Sequence, residues 1–405
     1  MKYKKCLLAL VAMFISSCEV TNTQNSSNES EVISTQESVL ESDENIGSDT
    51  NISEESESSE ILNSSEEESS ESSVVISEES EEVEDPYIET KLLNVKDILL
   101  NEGEVIEITN IIDLDEYTVV VEDESIAVVE DIYIGGLNEG NTTLTIYKDK
   151  KKQTVNITVV PQKEYVDPYK FSEVDLSGKK MVAFGDSVTA VATLGASYAN
   201  YTYSARFANH YGMTLKNNYA IGGTTATYTY YGSNIYKEYS TNKSVLDGCQ
   251  VVYKAYKAGE LADVDYAFIA YGHNDQYFQP PISVLNDKEY SVSNQYTYCK
   301  SYKGSYRFMI NLLRLANPDI NIVLLNCTYS EYDKAHGNPY GKIYSYERYR
   351  QATKEIAIEM GCKHIDPWNY MKEYYDFGKG NIYYKDSVHL TVKGHQVLAD
   401  YIISQ

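Results

Sequence analysis

Two patterns of hydrophobic and polar positions divide the chain. After about residue 176, short continuous apolar runs alternate with longer amphipathic stretches, and the clearest runs are Lys180–Phe184, Asp263–Tyr271 and Ile322–Asn326. A short apolar run bounded by turn residues is typical of a strand buried on both faces of a parallel sheet. Residues 176–405 are therefore predicted to form an α/β domain.

A period-two pattern dominates the preceding region, residues 87–162. Its short alternating or β-branched runs are Glu104–Thr109, Tyr117–Val121, Ile126–Val129, Thr142–Tyr147 and Thr154–Val160. Turn residues separate them, namely Gly135-Gly136, Asn138–Asn141 and Lys148-Asp149. This pattern predicts a small all-β sandwich. Residues 161–175 are interpreted as the link to the α/β domain.

The chain begins with features of an exported protein. Three lysines precede the apolar stretch Cys6–Ile15, which is too short to span a bilayer but suits the core of a secretory signal peptide, residues 1–17. The run Ile15-Ser16-Ser17-Cys18 resembles a bacterial lipobox, which implies cleavage before Cys18 and lipidation of its thiol. An anchored protein at the bacterial cell surface is expected. The alternative is an ordinary soluble signal peptide with an incidental cysteine.

Residues 18–86 are rich in serine and acidic residues. Positions 19–86 carry 22 Asp and Glu and no Lys or Arg, so this segment accounts for most of the formal net charge of −27. Such a composition buries too little apolar surface to offset chain entropy, which predicts a disordered acidic tether. Nothing in the rest of the chain resembles a basic stripe with interleaved aromatics, and no nucleic-acid partner is expected.

The candidate chemistry lies in three blocks that follow predicted strands and one block near the end of the chain. Ser187 follows the Lys180–Phe184 run, at the carboxyl end of a strand, where open α/β sheets place their sites. A serine hydroxyl needs an adjacent base to act as a nucleophile. His389 is the candidate base, because Asp386 lies three residues earlier and can orient its ring.

A tetrahedral intermediate also needs preorganised donors for its negative oxygen. The segment Asn218–Gly223 follows a plausible second strand, and a glycine there lets a backbone N–H approach substrate closely. The Asp263–Tyr271 run ends in Gly-His-Asn-Asp, so the Asn274 amide is a second candidate donor. The backbone N–H of Ser187 is the third.

These four blocks resemble the SGNH (GDSL-type) hydrolase superfamily over about residues 178–405. The resemblance implies a flavodoxin-like three-layer α/β/α fold, a Ser187, His389 and Asp386 triad, an oxyanion hole of Ser187, Gly223 and Asn274, and no cofactor or metal. The region from Ser125 to Ile146 resembles the bacterial Ig-like group 2 domain, for which a spacer role is favoured over ligand binding.

The expected activity is that of a serine esterase that removes acetyl or similar short acyl groups. Tyrosines crowd the loops beside the blocks, five of them between residues 228 and 239 and another at Tyr277, and such amphipathic rings suit sugar faces. An acylated carbohydrate is the expected substrate. Two alternatives stay open: a lipase or lysophospholipase acting on longer chains, and a surface adhesion protein with a vestigial hydrolase fold. The sequence does not indicate the oligomeric state.

Overall fold

The computed structural model describes residues 85–108, 112, 115–227, 247–285, 299–331 and 345–405. The predicted signal peptide, Cys18, the acidic tether and the tyrosines between 228 and 239 lie outside these residues. In the part of the chain that is described, no helix is long and apolar enough to cross a membrane.

Residues 88–160 form an all-β domain of two sheets in the described part of the chain. One sheet has the order β1-β8-β7-β4, with β2 also paired to β8, and the other has the order β3-β6-β5. The strands are β1 Ile88–Glu89, β2 Ile98–Asn101, β3 Val105–Glu107, β4 Thr118–Val121, β5 Ala127–Glu130, β6 Tyr133–Gly136, β7 Gly140–Lys148 and β8 Lys151–Val160. We refer to this region as the β domain.

The alternation of apolar and polar residues in the sequence determines which face of the β7–β8 hairpin is buried. Leu144 and Ile146 on β7 and Val155 and Ile157 on β8 are buried in one apolar cluster between the sheets, while their neighbours face outward. The two-residue turn between these strands includes Asp149 with a φ of 56°, a conformation that Asp tolerates better than most residues.

The prediction of a turn at Gly135-Gly136 is wrong, because both residues belong to the buried strand β6. A Cβ atom on Gly136 would lie 2.9 Å from the Asn101 carbonyl oxygen and 3.1 Å from the Leu100 Cβ. The glycine is therefore required by the close approach of β2 rather than by a turn.

The described residues after position 160 form an α/β domain, which we call the hydrolase domain after the family that its motifs resemble. Its strands are β9 Lys180–Gly185, β10 Thr214–Asn218, β11 Tyr266–Ala270, β12 Asn321–Leu325 and β13 Lys363–Ile365. Its helices are α1 Val191–Leu194, α2 Tyr203–His210, α3 Gly248–Lys257, α4 His273–Phe278, α5 Tyr302–Ala316, α6 Tyr346–Met360, α7 Trp368–Glu373 and α8 Val392–Ile403, with 3-10 turns at Phe171–Glu173 and Ala196–Tyr201.

The five strands β10-β9-β11-β12-β13 pair in parallel throughout. The apolar runs of the inner strands β9, β11 and β12 are buried on both faces. On β9, Val182 and Phe184 pack in one cluster with α3, α5 and α6, whereas Met181 and Ala183 pack in another with α2, α7 and α8. The domain is thus a three-layer α/β/α arrangement. In chain order its strands run 2-1-3-4-5, an order found in doubly wound folds whose sites lie at the carboxyl ends of the strands.

The segment 161–175 packs on the hydrolase domain instead of passing freely between domains. Phe171 has no exposed surface and contacts Phe207 at a ring-centroid distance of 4.8 Å. Asp167 and the Tyr169 carbonyl accept hydrogen bonds from the buried Lys363 ammonium at 2.6 and 2.7 Å. The hydrolase core therefore includes residues before the predicted start at position 176.

Candidate active site

Ser187 lies in the turn that directly follows β9. The strand ends at Gly185, where a Cβ would lie 2.5 Å from the Thr189 Oγ1 and 2.6 Å from the Ala270 carbonyl oxygen, so the turn closes tightly against β11 only because this residue is glycine. Ser187 itself is 9% exposed. Its hydroxyl is therefore presented at the carboxyl edge of the sheet from a fixed backbone.

The structure brings His389 and Asp386 to this hydroxyl across 202 residues of sequence. The Ser187 Oγ lies 2.8 Å from the His389 Nε2, and the His389 Nδ1 lies 2.8 Å from the Asp386 Oδ2 and 3.0 Å from its Oδ1. The Asp386 carboxylate also accepts the backbone N–H groups of Val388 and His389 at 2.9 and 2.7 Å. The three side chains form one continuous chain of hydrogen bonds, which we call the relay. The two backbone N–H groups of its own loop hold the Asp386 carboxylate in position for its contact with the His389 ring.

Hydrogen bonding decides the charge of Asp386. Partial burial favours the neutral acid, but the donated backbone N–H groups of His389 and Val388 and the contact with the His389 ring outweigh it, so the pKa of Asp386 lies below its usual value. The carboxylate is consequently ionised at neutral pH. An ionised carboxylate on Nδ1 holds the ring so that Nε2 faces Ser187 and stabilises the imidazolium that forms when Nε2 takes a proton.

The loop 219–227 brings Gly223 to the same edge of the sheet. Gly223 is exposed and has a φ of 82°, and nothing lies within 4 Å of the position that a Cβ would take. Among the described residues, neither the Gly223 N–H nor the Ser187 N–H donates a hydrogen bond. Both N–H groups therefore remain available to a substrate oxygen.

Asn274 lies on α4, which starts directly after β11. Its Nδ2 donates to the Thr224 carbonyl at 2.8 Å, which ties the helix to the Gly223 loop. An amide nitrogen carries two hydrogens, so the second remains for a ligand. The three predicted oxyanion donors are thus carried by the Ser187 turn and by two segments that are bonded to each other.

Two buried aspartates, whose supporting role sequence reasoning missed, hold these segments together. The Asp275 carboxylate accepts the Ala226 N–H at 2.9 Å, the Thr227 N–H at 3.3 Å and the Thr227 hydroxyl at 3.1 Å. The Asp186 carboxylate accepts the Val188 N–H at 3.0 Å and a backbone hydrogen bond from His273. Burial raises the pKa of each to about 7, against these hydrogen bonds. Their only signal in the sequence is that each adjoins a candidate site residue.

Two further histidines are buried and stand apart from the relay. His273 is held between the Tyr346 hydroxyl and the Thr328 hydroxyl, each at 3.2 Å, and burial lowers its pKa to about 3. His395 lies on α8, where its Nδ1 accepts the Tyr203 backbone N–H at 3.3 Å. His273 therefore packs beneath the site loop, and His395 links α8 to α2.

This arrangement can perform acyl transfer. It offers a hydroxyl with a base at hydrogen-bond distance, an acid that orients the base, and N–H donors on neighbouring loops. Within the described ranges, no group of three or more His, Cys, Asp and Glu side chains is placed to hold a metal ion.

Comparison with known proteins identifies the family. Residues 183–397, more than half of the chain, match the model of the GDSL-like lipase/acylhydrolase family. No curated protein is significantly similar to the chain.

Solved structures also resemble part of the chain. An acetyl-xylooligosaccharide esterase mutant from Geobacillus stearmophilus is 19% identical, with 57% of this chain and 95% of that chain covered and a TM-score of 0.36. A member of the lipolytic G-D-S-L family from Veillonella parvula is 16% identical, with 55% and 96% covered and a TM-score of 0.35. A protein from Lactobacillus plantarum is 17% identical, with 56% and 95% covered and a TM-score of 0.38. By its family match, the chain belongs to the GDSL-like lipase/acylhydrolase family.

Proposed function

We propose that the protein is a serine esterase that works through an acyl-enzyme intermediate. The observation that carries this proposal is the relay of Ser187, His389 and Asp386 with its distances of 2.8 Å on both sides of the imidazole. In the first step the Ser187 Oγ attacks the ester carbonyl carbon while His389 Nε2 takes the hydroxyl proton. The N–H groups of Ser187 and Gly223 and the Asn274 amide stabilise the oxyanion, and His389 then protonates the departing alcohol.

The second half of the reaction returns the enzyme to its starting state. His389 Nε2 takes a proton from water as the water oxygen attacks the acyl carbon. When the second tetrahedral intermediate collapses, the bond from the acyl carbon to the Ser187 Oγ breaks, His389 Nε2 returns its proton to that oxygen, and the carboxylic acid is released. The ionised Asp386 stabilises the imidazolium in both halves.

A short acyl group on a carbohydrate is the substrate that we propose. Tyr198 and Tyr201 are each 45% exposed and pack edge to face at 5.9 Å on the 3-10 turn that follows α1. The Thr193 hydroxyl on α1 donates to the Ser187 carbonyl at 2.7 Å, so this stretch adjoins the nucleophile turn. Exposed tyrosine rings on the stretch that continues from the nucleophile turn would offer apolar contact and a polar tip to a sugar face.

We also propose that the enzyme works outside the cytoplasm, anchored by lipid on Cys18. The proposal rests on the charged and apolar start of the chain, the small residues before Cys18, and the acidic segment 19–86 that would separate the folded part from the membrane.

Hydrolysis of p-nitrophenyl esters of increasing acyl length tests the activity and the acyl preference. We expect the acetyl ester to be turned over fastest, Ser187→Ala to lose at least about a thousandfold in kcat, and Ser387→Ala, a serine two residues from His389, to stay near wild type. Near-normal turnover by folded Ser187→Ala would refute the assignment. A preference for long chains would favour the lipase alternative, and a folded wild type without turnover would favour the adhesion alternative.

Acetate release from acetylated xylan, pectin and peptidoglycan tests the carbohydrate. Tyr198→Ala combined with Tyr201→Ala is expected to raise KM for the polymer that is deacetylated and to leave p-nitrophenyl acetate hydrolysis unchanged. If no polymer is deacetylated while the small ester is cleaved, the carbohydrate part of the proposal is wrong.

A further inference from the structure

We infer that the β domain positions the oxyanion helix α4, through the segment 280–285 that leaves this helix. On this inference Glu104 is a positioning residue of the hydrolase, although it belongs to the other domain. The inference rests on the oxyanion role proposed above for Asn274, and it goes beyond the role of a spacer for the β domain.

The segment 280–285 is shared between the two domains. The Glu107 N–H on β3 donates to the Ser283 carbonyl at 2.9 Å, and Glu107 forms a parallel bridge with Val284. Leu285 is buried in the apolar core of the β domain, whereas Ile282 is buried in the core of the hydrolase domain. One stretch of six residues therefore contributes to both cores.

The hydrolase side of this segment is fixed just as closely. The Tyr349 hydroxyl on α6 donates to the Pro280 carbonyl at 2.6 Å, and the N–H groups of Tyr302 and Lys303 donate to the Pro281 and Ile282 carbonyls at 2.8 and 2.9 Å. These contacts involve the first turn of α5. Movement of the β domain away from 280–285 would thus be transmitted to α5 and to the end of α4.

The distance along the chain to the oxyanion donor is short. α4 ends at Phe278, and Gln279 caps it with a φ of 54° before Pro280 begins the shared segment. Asn274 and Asp275 lie in the first turn of this same six-residue helix and hold the Gly223 loop through Thr224, Ala226 and Thr227. A helix this short has little rigidity of its own, so its orientation depends on what holds its two ends.

A buried ion pair joins the β domain to α5 of the hydrolase domain, next to the segment 280–285. Lys303 on α5 contacts the Glu104 carboxylate of the β domain, and both side chains are 2% exposed, while Glu355 on α6 lies 3.1 Å from the same ammonium at 15% exposure. Despite burial, the two carboxylates raise the pKa of Lys303. Without Glu104 the buried ammonium would keep only the partly exposed Glu355 as an ion-pair partner, so this contact cannot be loosened without local rearrangement.

Apolar contacts between the β domain and the hydrolase domain also favour a fixed arrangement of the two domains over a hinged one. Tyr133 on β6 is 5% exposed and belongs to the hydrolase core cluster, and Val105 and Ile132 of the β domain pack against it. The described residues from Pro86 onward accordingly belong to one compact unit.

Glu104→Gln tests the inference, with Glu116→Gln as its matched control. Both substitutions remove a glutamate that pairs with a lysine, but the Glu116 pair with Lys148 is on the surface of the β domain, with side chains 56% and 36% exposed. We expect Glu104→Gln to lower kcat for p-nitrophenyl acetate at least about fivefold with KM within twofold, and to speed amide hydrogen exchange over residues 274–285. Glu116→Gln is expected to change neither.

Two further variants separate positioning from a general loss of folding. Glu104→Gln combined with Lys303→Met removes the buried ammonium together with its Glu104 partner and leaves only Glu355, whose side chain is 15% exposed, so it is expected to recover most of the kcat. Leu285→Ala withdraws the anchor of the segment from the β-domain core without changing any charge, and it is expected to lower kcat in the same way.

Equal kcat and equal hydrogen exchange for folded Glu104→Gln and Glu116→Gln would overturn the inference, as would wild-type kcat in Leu285→Ala. The proposed function fails on a different result, turnover by Ser187→Ala. In that case the exchange rates of residues 274–285 still decide whether the β domain holds α4.

Discussion

Truncation of Asn274 gives the sharpest test of the oxyanion site, because its amide does two separable things. One Nδ2 hydrogen is donated to the Thr224 carbonyl at 2.8 Å, which is a structural bond. The other is proposed to reach the substrate oxygen only when that oxygen becomes negative. Asn274→Ala removes both while leaving the backbone of α4 untouched.

The two losses differ in size and in the quantity that reports them. Loss of the bond to Thr224, which is buried, is expected to cost about 1 kcal/mol of unfolding free energy. Loss of one oxyanion donor costs about 3 to 4 kcal/mol of transition-state stabilisation, which corresponds to a fall in kcat of roughly a hundred- to a thousandfold. Because that donor acts mainly in the transition state, KM is expected to change little.

Asn317→Ala is the matched control. The Asn317 Nδ2 also donates to a backbone carbonyl, that of Val264 at 2.9 Å, but at the opposite, amino end of β11. Urea unfolding of both variants is expected to show a similar small loss of stability. Initial rates with p-nitrophenyl acetate are expected to show a large fall in kcat for Asn274→Ala alone. If Asn274→Ala instead raised KM at unchanged kcat, Asn274 would bind the ground state and the oxyanion assignment would be wrong.

Three further predictions concern other parts of the chain. Gly223→Ala meets open space but a φ of 82°, so we expect the loop to turn its N–H aside and kcat to fall at least about tenfold with little loss of stability; unchanged kcat would remove Gly223 from the oxyanion site. Burial lowers the pKa of His395 from 6.5 to about 3, so the unfolded chain binds one more proton between these values and stability falls as the pH falls through this window. In urea titrations from pH 7 to 5, His395→Gln should reduce the slope of unfolding free energy against pH by up to about 1.4 kcal/mol per pH unit. An equal slope in the variant and the wild type would contradict this role of His395. Cys18→Ala is expected to release the protein from membranes at unchanged specific activity, and a soluble wild type without labelled palmitate would rule out the anchor.

The candidate site could be predicted from the sequence because its parts follow strand signals that are local. Ser187 and Asn274 each come just after a short apolar run, and these runs form the adjacent parallel strands β9 and β11. The strand before the Gly223 loop, β10, is mostly polar and pairs with β9 at the edge of the sheet. Parallel strands bring their carboxyl ends to one edge, so residues far apart in the chain converge without any further information. The pairing of His389 with Asp386 needed only their spacing of three residues.

Contacts between polar residues that are far apart in the chain could not be predicted from local patterns of this kind. Lys303 is separated from Glu104 by 199 residues, and a lysine on an amphipathic helix ordinarily indicates a solvated face. Residues 161–175 give a similar case: the sequence predicted only a link to the α/β domain, whereas Phe171 is wholly buried and Asp167 pairs with the buried Lys363. Burial of a charge depends on a partner from another element, and one sequence does not show which partner that is.

The site blocks contain three aspartates, and differences in burial and hydrogen bonding give them different roles. Asp386 has a side chain that is 42% exposed, and hydrogen bonds from its own loop keep its pKa low, so it stays charged and orients His389. Asp186 and Asp275 are buried at 2% and 0% exposure, and burial raises the pKa of each to about 7. Their oxygens accept backbone N–H groups of the site loops and do not contact the relay. The residue type is the same in all three blocks, but only the carboxylate that keeps its contact with water and its charge is suited to orient a base. The other two hold the Ser187 turn and the Gly223 loop in place.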